Sequence, residues 1–167
     1  MKQITLALAA LLPIATWAGA ATPDAKFYKH AAEGGLAEVQ MGQLAQEKST
    51  DASVKEFGSM MVTDHSAANE KLKALAATKG IELPSSPSIG EMATKTKLEV
   101  LSGHTFDKSY IKAMIKDHQE DIAMFKKEAA SGMDPDAKAF AAATLPTLKT
   151  HLKKIRAIAA STGIKIT

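Results

Sequence analysis

Four stretches of this chain, residues 24–48, 52–79, 105–130 and 135–162, repeat apolar residues at spacings of three and four and are bounded by turn signals. That period places the apolar residues on one face of an α-helix, and strand-like alternation is nearly absent. The first stretch opens near Pro23-Asp24 and ends near Lys48, with Ser49-Thr50-Asp51 as the break and next cap. The second runs from about Ala52 to Lys79 and is stopped by Gly80. The third runs from about Thr105 to Ala130 and stops at Ser131-Gly132. The fourth starts at Asp134-Pro135, a cap followed by proline at the first helical position, and ends before Gly163.

The connections decide how these helices are arranged. Tight turns join the first helix to the second and the third to the fourth. Between the second and third lies ELPSSPSIGEMATKTKLEVLSGH, a Pro/Ser linker followed by a short helix predicted over Ile89 to Leu101. A helix of about 25 residues spans roughly 40 Å, and a linker that is part extended and part helical can return that distance. The expected fold is therefore all-α: a ferritin-like four-helix bundle of two αα-hairpins joined by a long crossover with a short extra helix, the second and third long helices running parallel. An internal repeat supports this. Displaced by 83 residues, Phe27 meets Tyr110, Asp51 meets Asp134, and LKALAATKGI (residues 72–81) meets IRAIAASTGI (residues 155–164).

The first twenty residues stand apart from this pattern. Lys2, the apolar run Ile4 to Trp17 and Ala18-Gly19-Ala20 read as a signal peptide, residues 1–20, with cleavage after Ala20. The run is too short for a comfortable membrane span, and no later stretch is apolar enough to cross a bilayer. The mature chain, residues 21–167, then forms a single domain exported to the periplasm or cell envelope. There is no cysteine, which excludes thiolate catalysis, cysteine zinc sites and haem attachment through CxxCH. The net charge of +3 is interspersed with carboxylates along the helices, which does not make a nucleic-acid footprint. An envelope partner or a second copy of the chain is left open by the sequence.

Each inward stripe carries one strongly polar residue: Glu38, His65, His118 and His151, one per long helix, at similar heights. Two of them belong to a recurring pattern, MVTDH at 61–65 and MIKDH at 114–118. The offset of the recurrence is 53 (118 − 65), not 83, so duplication of the hairpins does not account for it. Delivery of two imidazoles to one layer does. Three imidazoles and a carboxylate in an apolar interior suit one transition-metal ion, with zinc, copper, iron or manganese all compatible. Asp121, one turn after His118, is a candidate further ligand. Asp64 and Asp117 point about 100° away from their neighbouring histidines, and could orient a ring on another helix. The same four polar residues could equally form a hydrogen-bonded layer that fixes helix register without a metal. His30 and His104, near helix ends, have no assigned role. Met41, Met60, Met61, Met114 and Met124 read as core filler.

FYKHAAEGGLAEVQMGQLA, VKEFGSMMVTDHSAANEKL, the SGHTFDKSYIKAMIKDH block and LPTLKTHL together resemble an exported bacterial family of unknown function, whose members are often labelled outer-membrane proteins. The resemblance covers nearly all of the mature chain. It implies a ferritin-like bundle at the envelope, and it maps the family's histidines onto His65, His118 and His151 and its helix-one glutamate onto Glu38. It brings no established reaction. The ferritin-like di-iron pattern does not carry over, because the residues three before His65 and His151 are Val62 and Leu148 rather than glutamate. No nucleophile or paired acid and base stands out as an enzyme motif. Two functions follow from the residues: an exported protein that binds one metal ion or a small ligand in metal handling or envelope stress, or a non-catalytic structural or interaction protein of the envelope with a buried polar layer.

Overall fold

Helix boundaries follow the capping chemistry in a computed structural model that describes residues 23–166; the predicted leader lies outside them. Five helices form: α1 (Ala25–Lys48), α2 (Ala52–Thr78), α3 (Ile89–Glu99), α4 (Gly103–Ser131) and α5 (Pro135–Ser161). Among the described residues all regular structure is helical. The crossover helix stops at Glu99, short of the expected Leu101, and α4 begins two residues before the expected Thr105. Ser88 starts α3 with a capping box: its backbone N–H donates to Glu91 Oε2 (2.7 Å), and Glu91 N–H donates back to Ser88 Oγ (3.3 Å).

The internal repeat is visible in three dimensions at both ends of the matched helices. Asp51 caps α2 by accepting from Ser53 N–H and Val54 N–H, and Asp134 caps α5 by accepting from Asp136 N–H. Both helices end on a glycine at positive φ, Gly80 (64°) and Gly163 (68°). In each case the following isoleucine donates back to a carbonyl of the last turn, Ile81 to Ala76 and Ile164 to Ala159. This is one terminator written twice, and it needs a residue without Cβ at the left-handed position.

Contacts between helix ends fix direction. Tyr28 at the start of α1 and Lys79 just past α2 both bond Asp134 at the start of α5. At the opposite end Ser49, after α1, donates to Asp107 in the first turns of α4. Helices α2 and α4 therefore leave the same end and run the same way. α1 packs mainly on α2 and α4 on α5, while α3 lies against α1 and α4.

α1 and α2 approach each other closely at a pair of glycines. A Cβ on Gly42 would stand 2.6 Å from Gly58 O, and one on Gly58 would stand 2.6 Å from Gly42 O. Only glycine at both positions lets the backbones touch. Gly34 and Gly35 lie elsewhere: Gly35 faces the Asn69 amide and Gly34 opens toward Asp121 and Glu91. The Gly42–Gly58 contact lies one turn from Glu38 and two turns from His65, and so brings those two residues together across the helix pair. α5 runs unbroken through Pro146.

The apolar core is split in two. One cluster gathers Met41, Phe57, Met61, Tyr110, Met114 and Ile155, the other Phe27, Tyr28, Leu72, Phe125, Phe140 and Leu148. On α2, α4 and α5 the histidine falls between the two clusters in sequence. Met41, Met61 and Met114 are fully enclosed as core filler.

Candidate metal centre

His65 on α2, His118 on α4 and His151 on α5 are 6%, 0% and 1% exposed, so their protonation is set by protein neighbours and not by bulk water. Their ring centroids are 5.3–5.8 Å apart, and Phe57 packs against the rings of His118 and His151.

Each ring has one nitrogen occupied by a group that can only accept. His65 Nδ1 is 2.8 Å from Glu38 Oε2, His118 Nδ1 is 2.9 Å from the Met114 carbonyl, and His151 Nε2 is 2.8 Å from Asp64 Oδ2. Carboxylate and carbonyl oxygens have no proton to give, so these three nitrogens carry the N–H. In the neutral rings the remaining nitrogens, His65 Nε2, His118 Nε2 and His151 Nδ1, are then bare lone pairs. His65 Nε2 has no hydrogen-bond partner. His118 Nε2 and His151 Nδ1 face each other at 3.3 Å. One nitrogen from each of the three rings lies within 4.8 Å of those from the other two. Two bare nitrogens face to face repel one another unless a proton or a cation sits between them.

The electrostatics differ from ring to ring. Burial holds His151 down to about 4, against the opposing pull of Asp64, and burial likewise lowers His118 despite Glu38. Both rings are neutral at neutral pH and able to ligate. Burial disfavours ionised Glu38, but the charges of His65 and His118 and the bond from His65 outweigh it, so the carboxylate lies below its usual range. Burial also disfavours charged His65, yet the Glu38 carboxylate more than compensates and raises it. Glu38 and His65 are thus a buried pair in which the carboxylate orients the ring.

The five sequence candidates separate. His65, His118 and His151 come together as read. Glu38 reaches the layer but sits behind His65, on the opposite side of that ring from the free nitrogen; Oε1 is 3.3 Å from His118 Nδ1, itself committed to Met114. It supports the rings and does not join the three free nitrogens. Asp121 also lies outside that set. It lines an acidic cleft with Glu91, Asp117 and Glu120, and a small internal cavity of about 20 Å³ beside Glu38 and His65. The two Asp-His pairs differ: Asp64 crosses to His151 on α5, whereas Asp117 faces the cleft. Asp117 is pushed up to about 7, first by burial and then by Glu38. Sequence reading missed the Met114 carbonyl, since a backbone acceptor leaves no mark in side-chain identity. It also missed the cleft, although Asp117, Glu120 and Asp121 share one face of α4 by spacing. His30 is exposed beside Glu33, and His104 is exposed.

A search of curated proteins found no significant match. Solved structures with the same fold include a DUF305 protein from Streptomyces coelicolor described as secreted (16% identity, 86% of this chain and 96% of that chain, TM-score 0.73). A DUF305 fragment from Deinococcus radiodurans matches at 16% identity over 83% of this chain and 95% of that one (TM-score 0.71). CopM in its Cu(I)-bound form matches at 15% identity over 83% of this chain and 96% of that one (TM-score 0.69). At these identities the likeness establishes a shared helical fold. The matches give no support to an outer-membrane label, and no described helix is long and apolar enough to cross a membrane. The sequence family is settled by a direct match over residues 10–158: the chain belongs to DUF4142, a domain of unknown function.

Proposed function

We propose that this protein binds a single transition-metal ion through His65 Nε2, His118 Nε2 and His151 Nδ1, and that it serves metal handling or envelope stress outside the cytoplasm. The carrying observation is that one nitrogen of every ring faces an acceptor-only oxygen, while one nitrogen of each ring lies within 4.8 Å of those of the other two. An ion about 2.0–2.1 Å from three imidazoles holds their nitrogens about 3.3–3.6 Å apart. The 3.3 Å spacing of His118 and His151 already meets this, and small ring rotations bring His65 in. Borderline ions that favour imidazole, copper and zinc foremost, suit such a set. Copper is the first to test, because CopM, of the same fold, is known in Cu(I)- and Cu(II)-bound forms.

In this reading residues 1–20 are a leader, and residues 21–167 form one domain in the periplasm or envelope, arranged as a ferritin-like four-helix bundle of two hairpins with α3 in the crossover. Glu38 and Asp64 act as orienting carboxylates and Met114 O as the third support. A purely structural polar layer is the rival. It leaves His65 Nε2 without a partner and two bare nitrogens face to face, a cost of about 1–3 kcal/mol for each unsatisfied group. Elemental analysis of the mature protein, purified without a chelating tag and then titrated with copper and zinc, tests the proposal. One equivalent of tightly held metal with a rise in Tm is expected. No bound metal and no thermal shift with either ion would leave the structural reading.

A further inference from the structure

Ligand number, ligand charge and access to water separate the ions that imidazole binds, and the histidine layer is restrictive in all three. Each ring supplies one nitrogen, and among the described residues no carboxylate joins that set. Glu38 and Asp64 are spent on the other nitrogens of His65 and His151. The rings are 0–6% exposed, which keeps bulk water away from an ion among them. The nearby internal cavity, about 20 Å³, lies beside Glu38, which holds the Nδ1 side of His65. Apolar side chains flank the layer. Met61 and Met114 stand one turn before His65 and His118, fully buried, and Phe57 packs against the rings of His118 and His151.

A divalent ion fits this set poorly. Zn²⁺ completes its shell with a fourth ligand, a protein group or a water, and Cu(II) prefers a tetragonal set of nitrogen and oxygen donors. The three rings offer neither a fourth donor nor an oxygen. Charge acts in the same direction. The cost of taking an ion out of water rises with the square of its charge, so a dication costs about four times as much as a monocation of equal size. One enclosed carboxylate offsets that cost: Glu38 is 2% exposed, whereas the Asp64 side chain is 38% exposed and screened by solvent. A single enclosed negative charge balances a monovalent ion and leaves a dication with charge uncompensated. Monovalent copper needs no fourth ligand. It is a soft d¹⁰ ion that is stable with three nitrogen donors, and thioether sulfur, which Met61 and Met114 carry, favours it further.

We infer that the layer of His65, His118 and His151 is a Cu(I) site, selective for a soft monovalent ion over Cu(II) and Zn²⁺, with Glu38 as its balancing charge. The inference rests on the metal-binding reading above and narrows it to one charge class of ion. Stabilising a single oxidation state makes the layer a holder of reduced copper and not a redox cycle.

Separate titrations of the mature protein with Cu(I) under ascorbate and without oxygen, with Cu(II) and with Zn²⁺, each against a competing chelator, test the assignment. One Cu(I) per chain is expected. It should be held roughly 1,000-fold more tightly than Cu(II), which places the potential of the bound couple roughly 180 mV above that of the aqueous couple. Glu38→Gln removes the enclosed charge. Because the lost attraction scales with the charge of the ion, Cu(II) should weaken by about twice as many decades as Cu(I), and the potential should rise further. A site merely loosened and opened to water would move the other way. An unchanged or lower potential in that variant would overturn the charge balance on which the assignment stands; if the variant does not fold, the wild-type potential decides alone. A wild-type potential at or below that of the aqueous couple, or one Zn²⁺ per chain bound as tightly as Cu(I), would overturn the Cu(I) assignment and leave the centre intact. Failure to bind any of the three ions would overturn the centre and the assignment together.

Discussion

Two of the buried polar groupings among the described residues, one at the end where α1 starts and one between the two halves of the core, are built on opposite principles. At the end, Asp134 is 5% exposed and every contact has its complement. Tyr28 donates its hydroxyl at 2.9 Å, Lys79 donates its ammonium at 2.9 Å, and Asp136 donates its backbone N–H at 3.0 Å. Burial works against the Asp134 carboxylate, but these bonds together keep it below its usual range. The end grouping is complete without a ligand. In the middle layer each histidine is fixed on one side; on the other, His65 Nε2 has no partner and His118 Nε2 meets only His151 Nδ1. A buried polar group that only stabilises a fold should resemble the first, because natural cores satisfy their donors and acceptors. The second is held in position and left unfinished, which is what the proposed metal-binding reading requires.

The sharpest way to break this contrast is to damage each grouping and measure both stability and metal. His118→Ala should abolish stoichiometric metal and with it the whole linkage stabilisation, about 4 kcal/mol when metal is present at 1,000 times its Kd. Asp134→Ala should do the reverse. It removes the cap of α5 and the partner of a buried hydroxyl, lowering stability by about 2–4 kcal/mol, with one metal still bound per chain. Denaturation with and without added metal reads both; equal metal-dependent shifts in the two variants would erase the distinction.

A smaller effect separates positioning from ligation within the middle layer. Asp64→Asn keeps an acceptor for His151 Nε2–H but removes its charge. Metal affinity should fall about 10–100-fold, roughly 1.4–2.7 kcal/mol, while stoichiometry stays at one. Isothermal titration measures this, and complete loss of binding would instead make Asp64 a ligand.

The smallest effect concerns a flaw beside the complete grouping. Glu128 is 8% exposed, its Oε1 has no partner, and burial followed by the charge of Asp24 pushes its carboxyl up to about 7. Between its ordinary value of 4.5 and about 7 the folded state keeps a proton that the unfolded state has released. Stability should therefore fall as pH rises through that window, by about 1–2 kcal/mol, and Glu128→Gln should flatten the slope. Chemical denaturation of metal-free protein at pH 5, 6, 7 and 8 would show it; identical slopes in the two proteins would contradict it.

Helix identity and helix ends were legible in the sequence because they depend on local chemistry. The spacing of apolar residues, Asp51 and Asp134 as caps, and the paired Gly80-Ile81 and Gly163-Ile164 terminators act within a few residues of themselves. The histidines were legible for a related reason: a polar residue in an apolar stripe is conspicuous wherever its helix ends up. What those residues do was decided by tertiary structure. Glu38 was indistinguishable in sequence from a ligand. The contact of Gly42 with Gly58 sets its carboxylate against His65 Nδ1, on the far side of that ring from Nε2. The two Asp-His pairs are nearly identical as text, but α2 turns Asp64 toward α5, while α4 turns Asp117 toward the crossover. Sequence fixes which way a side chain leaves its own helix. Only packing fixes which neighbour stands there, and that neighbour decides whether a carboxylate holds a ring or faces an open cleft.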